Sequence, residues 1–211
     1  MLFWSQKRRS ERFNTITHLV GAVLAFPAIV VLVVFASLQG DPWRIVSFSV
    51  YGLTLFSLYL FSSLYHGLRG RIKKTFQTLD HISIYLLIAG SYTPFTLITL
   101  RGAWGWSLFG VVWSLAIAGI VLDSLHERGP RSIQMVIYFC MGWLIVIAMY
   151  PMLHNLATGG LVWLLVGGLL YTVGITFYAL DKRIRYGHGI WHLFVLAGSA
   201  SHYFAIFLYL L

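Results

Sequence analysis

The sequence predicts an all-α integral membrane protein, a bundle of seven transmembrane helices. Of its 211 residues, 59% are hydrophobic and only 10% are charged, and the mean hydropathy is +0.80. Soluble domains carry about 25% charged residues, so a water-soluble domain is excluded for most of this chain. The apolar residues form seven separate runs. Each run is long enough to cross a bilayer, because a helical span needs about 20 residues.

The runs are separated by short connectors with turn residues such as Gly40 and Pro42. They cover residues 18–38, 44–67, 79–99, 105–124, 133–153, 161–181 and 188–210. We therefore divide the chain into a short basic cytoplasmic tail, 1–17, and a transmembrane domain, 18–211. The first run follows basic residues, as in a signal peptide, but it is too long for one and lacks a clear cleavage site. We expect it to be a retained helix.

The distribution of basic residues predicts the orientation. Thirteen of the fifteen Lys and Arg residues lie in the tail and in the second, fourth and sixth connectors, which leaves only Arg44 and Arg101 for the other side. The positive-inside rule then places the N-terminus in the cytoplasm and the C-terminus outside. It also explains the net charge of +9 without a nucleic-acid partner. The expected location is the bacterial inner (plasma) membrane, as a multi-pass protein. The single cysteine, Cys140, excludes an internal disulfide and a cysteine-rich metal site.

Three histidines predict a metal site at the cytoplasmic end of the bundle. His188 and His192 open the last run, and their spacing puts both imidazoles on one face of a helix. His66 ends the second run on the same predicted side. Three imidazoles with a fourth position open are a usual arrangement for catalytic Zn²⁺. The alternative interpretation is that these are polar helix-end histidines that face lipid headgroups.

Two further residues are candidates for catalysis. Asp80 opens the third run shortly after His66, where it could hold a water molecule or act as a general base. Its alternative role is the N-cap of the third helix. Ser62 lies one turn before His66 on the same helix face, suited to contact a metal ligand or a substrate. Its alternative role is a small packing residue whose hydroxyl bonds back to its own helix.

The remaining polar residues are given structural roles. Glu11, Asn14 and His18 lead into the first helix, and we expect them to tie the tail to the bundle. His202 lies 14 residues beyond His188, about 21 Å further along the helix axis, so it is predicted to form an interhelical hydrogen bond outside the metal site. No site is assigned to the other histidines, His81, His126 and His154.

Taken together, these residues form three motifs along nearly the whole chain. They are Glu11 to His18 with Asn14 between, Ser62-Ser63-Leu64-Tyr65-His66 with Asp80, and His188-Gly189-Ile190-Trp191-His192 with His202. The set resembles the hemolysin III branch of the progestin and adipoQ receptor family, within a superfamily of seven-helix membrane hydrolases that includes alkaline ceramidases. The resemblance implies a seven-helix fold with the N-terminus inside. It also implies a zinc ion held by His66, His188 and His192, with Asp80 beside the reacting water.

Two functions from different classes follow, and a third is disfavoured. The first is a zinc-dependent hydrolase that cleaves an amide or ester in a membrane lipid and so influences membrane lipid composition. The second is a non-enzymatic sensor or regulator of membrane homeostasis in which the zinc is structural. A pore-forming cytolysin is disfavoured, because a toxin must remain in water before insertion and this chain is predicted to span the membrane permanently.

Overall fold

The computed structural model describes residues 2–125 and 131–211, with side chains from residue 9 onward. These residues form α-helices at Leu2–Gln39 (α1), Pro42–Gly67 (α2), Arg71–Pro94 (α3), Ala103–Leu125 (α4), Arg131–Trp143 (α5), Met149–Asn155 (α6), Thr158–Ala179 (α7) and Gly187–Tyr209 (α8). A π-helical segment, Phe95–Thr99, extends α3, and a 3-10 segment, Leu144–Ala148, joins α5 to α6. His126 and the predicted turn Arg128-Gly129-Pro130 lie outside the described residues.

The described part of the chain contains seven helical stretches that are long and apolar enough to cross a membrane. The fifth of them consists of α5, the 3-10 segment and α6, and each of the others contains one α-helix. Many large apolar side chains lie on the outside of the bundle, among them Val23, Phe26 and Leu53. Such a surface is stable in lipid and unstable in water. The predicted fold, an all-helical bundle of seven membrane spans, is confirmed.

Several helices begin earlier than the apolar runs suggest. Helix α1 starts at Leu2, so the predicted tail is helical where it is described and continues directly into the first span. Helix α3 starts at Arg71 with Gly70 at its N-cap position, so Asp80 lies nine residues inside the helix. The N-cap interpretation of Asp80 is therefore wrong. The first two turns of α3 are polar and half-exposed, which is why hydropathy alone does not reveal them.

Helices α2, α3 and α8 are the most buried of the seven spans and form the centre of the bundle. The other spans, which contain α1, α4, α5, α6 and α7, are less buried and surround them. Each central helix carries candidate site residues from the sequence: His66 on α2, Asp80 on α3, and His188 and His192 on α8. Packing alone therefore directs these polar residues toward one another and away from lipid.

We call the end of the bundle where α1, α3, α5 and α8 begin the basic end. Two ion pairs connect its helices. Lys73 Nζ lies 3.2 Å from Glu11 Oε2, and Arg131 donates hydrogen bonds of 2.9 and 2.8 Å to the two carboxylate oxygens of Asp181. Burial alone would raise the pKa of the Asp181 carboxyl, but the contacts with His188 and Arg131 outweigh burial and hold that pKa below its usual range.

Candidate metal centre

The structure brings the three predicted histidines together at the basic end. One ring nitrogen from each of His66, His188 and His192 lies within 4.8 Å of the corresponding nitrogens of the other two. The ring centroids are 5.0 Å apart for His66 and His188, 5.1 Å for His66 and His192, and 4.7 Å for His188 and His192. Nitrogen atoms at these separations can reach one ion at the Zn–N distance of about 2.0–2.1 Å after small side-chain shifts.

The orientation of His66 is fixed from helix α1. His66 Nδ1 donates to Glu11 Oε2 over 3.0 Å, and Lys73 holds the same carboxylate oxygen. A carboxylate on one nitrogen of a histidine selects the tautomer whose other nitrogen carries a free lone pair. That other nitrogen, Nε2, is buried and has no hydrogen-bond partner among the described residues. A bound metal ion would satisfy it, because a neutral imidazole nitrogen is a good ligand.

The two histidines of α8 are held in the same way. His192 Nδ1 lies 3.2 Å from the Asn14 carbonyl oxygen and 3.1 Å from Thr17 Oγ1. His188 Nδ1 lies 3.4 Å from Asp181 Oδ2. Each of the three imidazoles therefore uses Nδ1 for an outer partner and keeps Nε2 for the common point. This is the arrangement of outer partners that orients histidine ligands in metal sites, so the residues fit a zinc ion.

Close contact between α1 and α8 makes these hydrogen bonds possible. A Cβ atom at Gly189 would lie only 2.2 Å from Cδ1 of Phe13, so any other residue at this position would push the helices apart. The glycine lets α1 approach until the Asn14 carbonyl reaches His192. The alternative interpretation, that the histidines face lipid headgroups, does not hold for two of the three. His66 and His192 are only 8% and 1% exposed, and they face each other inside the bundle.

The two candidate catalytic residues lie beside the histidines. Asp80 and Ser62 are both buried and line the same cavity as the three imidazoles. The Asp80 carboxylate interacts electrostatically with the Ser62 hydroxyl and with His188. Ser62 Oγ forms no hydrogen bond of acceptable geometry within the described residues, so the interpretation as a back-bonded hydroxyl is wrong. The neighbouring Ser63 does bond back, to the Leu60 carbonyl oxygen.

The cavity has a volume of about 800 Å³ and extends from the histidines into the bundle between α3, α5, α7 and α8. Polar residues line it near the metal centre. Further in, its wall becomes mostly apolar and aromatic, with Leu87, Ile88, Trp143, Ile175 and Val195. A cavity of this size and lining is typical of sites that enclose a small or lipid-like ligand.

His18 is a neighbour of the metal centre that the sequence interpretation missed. Its ring stacks on His192, with centroids 3.6 Å apart and an interplanar angle of 10°. It is 3% exposed, and neither ring nitrogen has a hydrogen-bond partner in the described part of the chain. The signal was available, since Glu11, Asn14 and His18 are spaced i, i+3, i+7 and must share one helix face. That face is directed at the three histidines.

We expect the His18 ring to keep His192 in position by stacking. His18→Phe preserves an aromatic ring of similar size, so the protein should keep its zinc affinity. His18→Ala removes the ring and should weaken zinc binding about tenfold, the lower end of the effect of losing an outer partner. Competition with a chelator on the purified variants measures both affinities. Equal losses in the two variants would mean that the ring nitrogens of His18, and not its stacking, support the site.

Among the described residues, His81, His154 and His202 are not members of the three-histidine cluster. His202 forms an interhelical hydrogen bond from α8, with Nε2 3.2 Å from the Leu164 carbonyl oxygen. The predicted bond is therefore confirmed. His81 lines the cavity but is not one of the three clustered histidines, and its carbonyl oxygen is 3.5 Å from the Tyr138 hydroxyl. His154 is exposed and contacts only its own helix.

Comparison with known proteins supports the family assignment. The sequence profile of the Haemolysin-III related family matches residues 6–203. The chain is 46% identical to Hemolysin-3 of Bacillus cereus over 96% of its own length and 93% of the relative. It is 31% identical to the human Monocyte to macrophage differentiation factor, over 93% and 83% of the two chains. It is 25% identical to the Adiponectin receptor protein of Drosophila melanogaster, over 93% of this chain and 50% of the receptor. The chain belongs to the Haemolysin-III related family of multi-pass membrane proteins and is a distant relative of the adiponectin receptors.

Proposed function

We propose that this protein is a zinc-dependent hydrolase of the bacterial inner membrane that cleaves an amide or ester bond in an acyl lipid. One observation carries the proposal. Three oriented imidazoles and a buried carboxylate lie together at one end of a cavity whose other part is lined mostly by apolar and aromatic residues. A metal centre without a cavity would suit a structural ion. A cavity without a metal centre would suit a transported or sensed lipid. The combination suits a reaction on a lipid.

His66, His188 and His192 would hold the zinc ion through Nε2, with their Nδ1 atoms on Glu11, Asp181 and the Asn14 carbonyl. Zinc in such a site supplies Lewis acidity toward a carbonyl oxygen and lowers the pKa of a water molecule toward 7. Three neutral histidines leave the ion its full double charge, which favours this chemistry. They also explain why a buried nitrogen of His66 has no partner within the protein.

Asp80 is the proton carrier in this proposal. Its carboxylate is the only acidic group of the described residues that is both buried and adjacent to the histidines without serving as an Nδ1 partner. It would orient the attacking water, accept its proton and deliver that proton to the leaving nitrogen or oxygen. Ser62, whose hydroxyl is buried beside Asp80, would donate a hydrogen bond to the carboxylate or to the substrate.

The apolar part of the cavity would hold the acyl chain. The scissile carbonyl would then lie at the basic end of the bundle, near the level of lipid carbonyls in the adjoining leaflet. This placement lets a lipid reach the histidines without leaving the membrane. The catalytic groups need no channel through the protein, since the second substrate, water, reaches the site from the same end.

The test is release of free fatty acid from a panel of N-acyl and ester lipids by the purified protein in bilayer discs. The parent protein should release fatty acid from at least one lipid, and His66→Ala should reduce release to background. His154→Ala, an exposed histidine on α6, is the matched control and should equal the parent. Equal release by the parent and His66→Ala would exclude the metal-dependent hydrolase. No release by the parent, with altered membrane lipids in cells that express it, would favour the homeostasis regulator.

A further inference from the structure

We infer that Gly142 on α5 and Gly168 on α7 set the length of the acyl chain that the cavity accepts. The inference rests on the proposed function, because it assigns an acyl chain to the apolar part of the cavity. It goes beyond that function by naming the residues that determine specificity. Both glycines line the cavity on the side away from the metal centre.

The depth of the glycines matches one leaflet. The Tyr178 ring lies 5.7 Å from the His188 ring, so this part of α7 is level with the metal centre. Gly168 lies ten residues from Tyr178 on the same helix, about 15 Å along its axis. The hydrocarbon core of a bilayer is about 30 Å thick, so Gly168 lies near its middle. An acyl chain that begins at the histidines and runs beside α7 therefore reaches Gly168, and a longer chain must extend past it.

Space is available at both positions. A Cβ atom built on Gly142 or on Gly168 would meet no atom within 4 Å, apart from the immediate helix neighbours. Most other glycines in the helices behave differently. A Cβ at Gly167, the residue beside Gly168, would lie 2.2 Å from the His202 ring, so Gly167 serves helix packing. Both glycines line the cavity, Gly168 half-buried and Gly142 exposed, and neither is needed for helix contact.

The wall around the two glycines is held in place by hydrogen bonds. Trp143 Nε1 donates to Thr172 Oγ1 over 3.0 Å, which joins α5 to α7 next to both glycines. The Tyr92 hydroxyl lies 2.9 Å from the carbonyl oxygens of Met141 and Gly142, and it also accepts from the Ile145 amide. These bonds satisfy the backbone where α5 becomes a 3-10 segment. Since they hold the two helices at a set distance, a large side chain added at either of these cavity-lining positions narrows the space between α5 and α7.

The experiment compares chain-length profiles. Purified parent, Gly142→Leu and Gly168→Leu are tested for competition against a labelled fatty acid, with octanoate, laurate, palmitate and stearate as competitors. Affinity of the parent should rise with chain length up to palmitate or stearate. The ratio of stearate affinity to laurate affinity should be about tenfold lower in each variant than in the parent. This is the effect expected when two methylene groups no longer fit. Each fatty acid partitions into detergent to the same extent whichever protein is present. This partition therefore cancels when the affinity ratio of a variant is compared with that of the parent.

Gly110→Leu is the matched control, because Gly110 on α4 also has open space around it but lies outside the cavity. Its profile should equal that of the parent. Identical profiles for the parent and both cavity variants would overturn the inference, and so would a parent that binds no fatty acid. Binding does not require turnover. A shifted profile in a protein that hydrolyses no lipid would therefore support the chain-length role and reject the hydrolase.

Discussion

Replacement of His188 or His192 by alanine is expected to remove most of the zinc from the protein. The parent should carry about one zinc ion per chain, held by three imidazoles. Each substitution leaves two protein ligands, and two imidazoles hold zinc far more weakly than three. Loss of an outer partner alone costs about 10–100-fold in metal affinity, so loss of a ligand should cost more than 100-fold. Elemental analysis after gel filtration measures the zinc content.

His154→Ala serves as the control for this experiment, since it removes an exposed histidine that contacts only its own helix. It should retain about one zinc ion per chain. Full zinc content in both α8 variants would show that the metal is bound elsewhere or by other residues. Loss of zinc in all three variants would point to a general loss of structure, which the helical content of each purified variant would reveal.

Replacement of Asp80 by asparagine is expected to separate catalysis from metal binding. The amide occupies nearly the same volume as the carboxyl but cannot accept a proton at neutral pH. Zinc content should stay close to that of the parent, because the three imidazoles and their Nδ1 partners are unchanged. Fatty-acid release should fall by about 10²–10⁴-fold, the usual contribution of a positioned general base. Both quantities are measured on one preparation, by elemental analysis and by the lipid panel.

The combination of outcomes decides the role of Asp80. Zinc retained with hydrolysis lost assigns the carboxylate to proton transfer. Zinc lost together with hydrolysis would make Asp80 a metal ligand. Full activity in Asp80→Asn, with activity lost in His66→Ala, would keep the enzyme and remove Asp80 from its mechanism.

The sequence was sufficient for the spans and for the three histidines because both signals are local. Hydropathy measures each span separately, and the i, i+4 spacing of His188 and His192 fixes their common face. His66 could be added because the basic connectors place it on the same side as α8. These arguments need no knowledge of which helices touch. Both predictions can therefore be made without the tertiary structure.

What the sequence did not reveal depends on contacts between distant segments. The bond from His66 to Glu11 links residues 55 positions apart, and no local pattern marks it. The 3-10 segment after Trp143 follows an uninterrupted apolar run, and the Tyr92 hydroxyl that satisfies its backbone comes from another helix. The start of α3 was placed too late because its first turns are polar. In the first two cases a tertiary contact, and not the local composition, determines the structure.

The hydrogen bonds between α1 and the three-histidine site also constrain how the protein is made. Asn14 and His192, which share the bond that orients this ligand, are 178 positions apart. Helix α1 leaves the ribosome long before α8 does. A nascent chain that lacks α8 can therefore form the bonds of Glu11 to His66 and Lys73, but it cannot form the three-histidine site. The three histidines come together only after α8 has packed into the bundle, so a copy truncated before α8 lacks two of the three imidazoles.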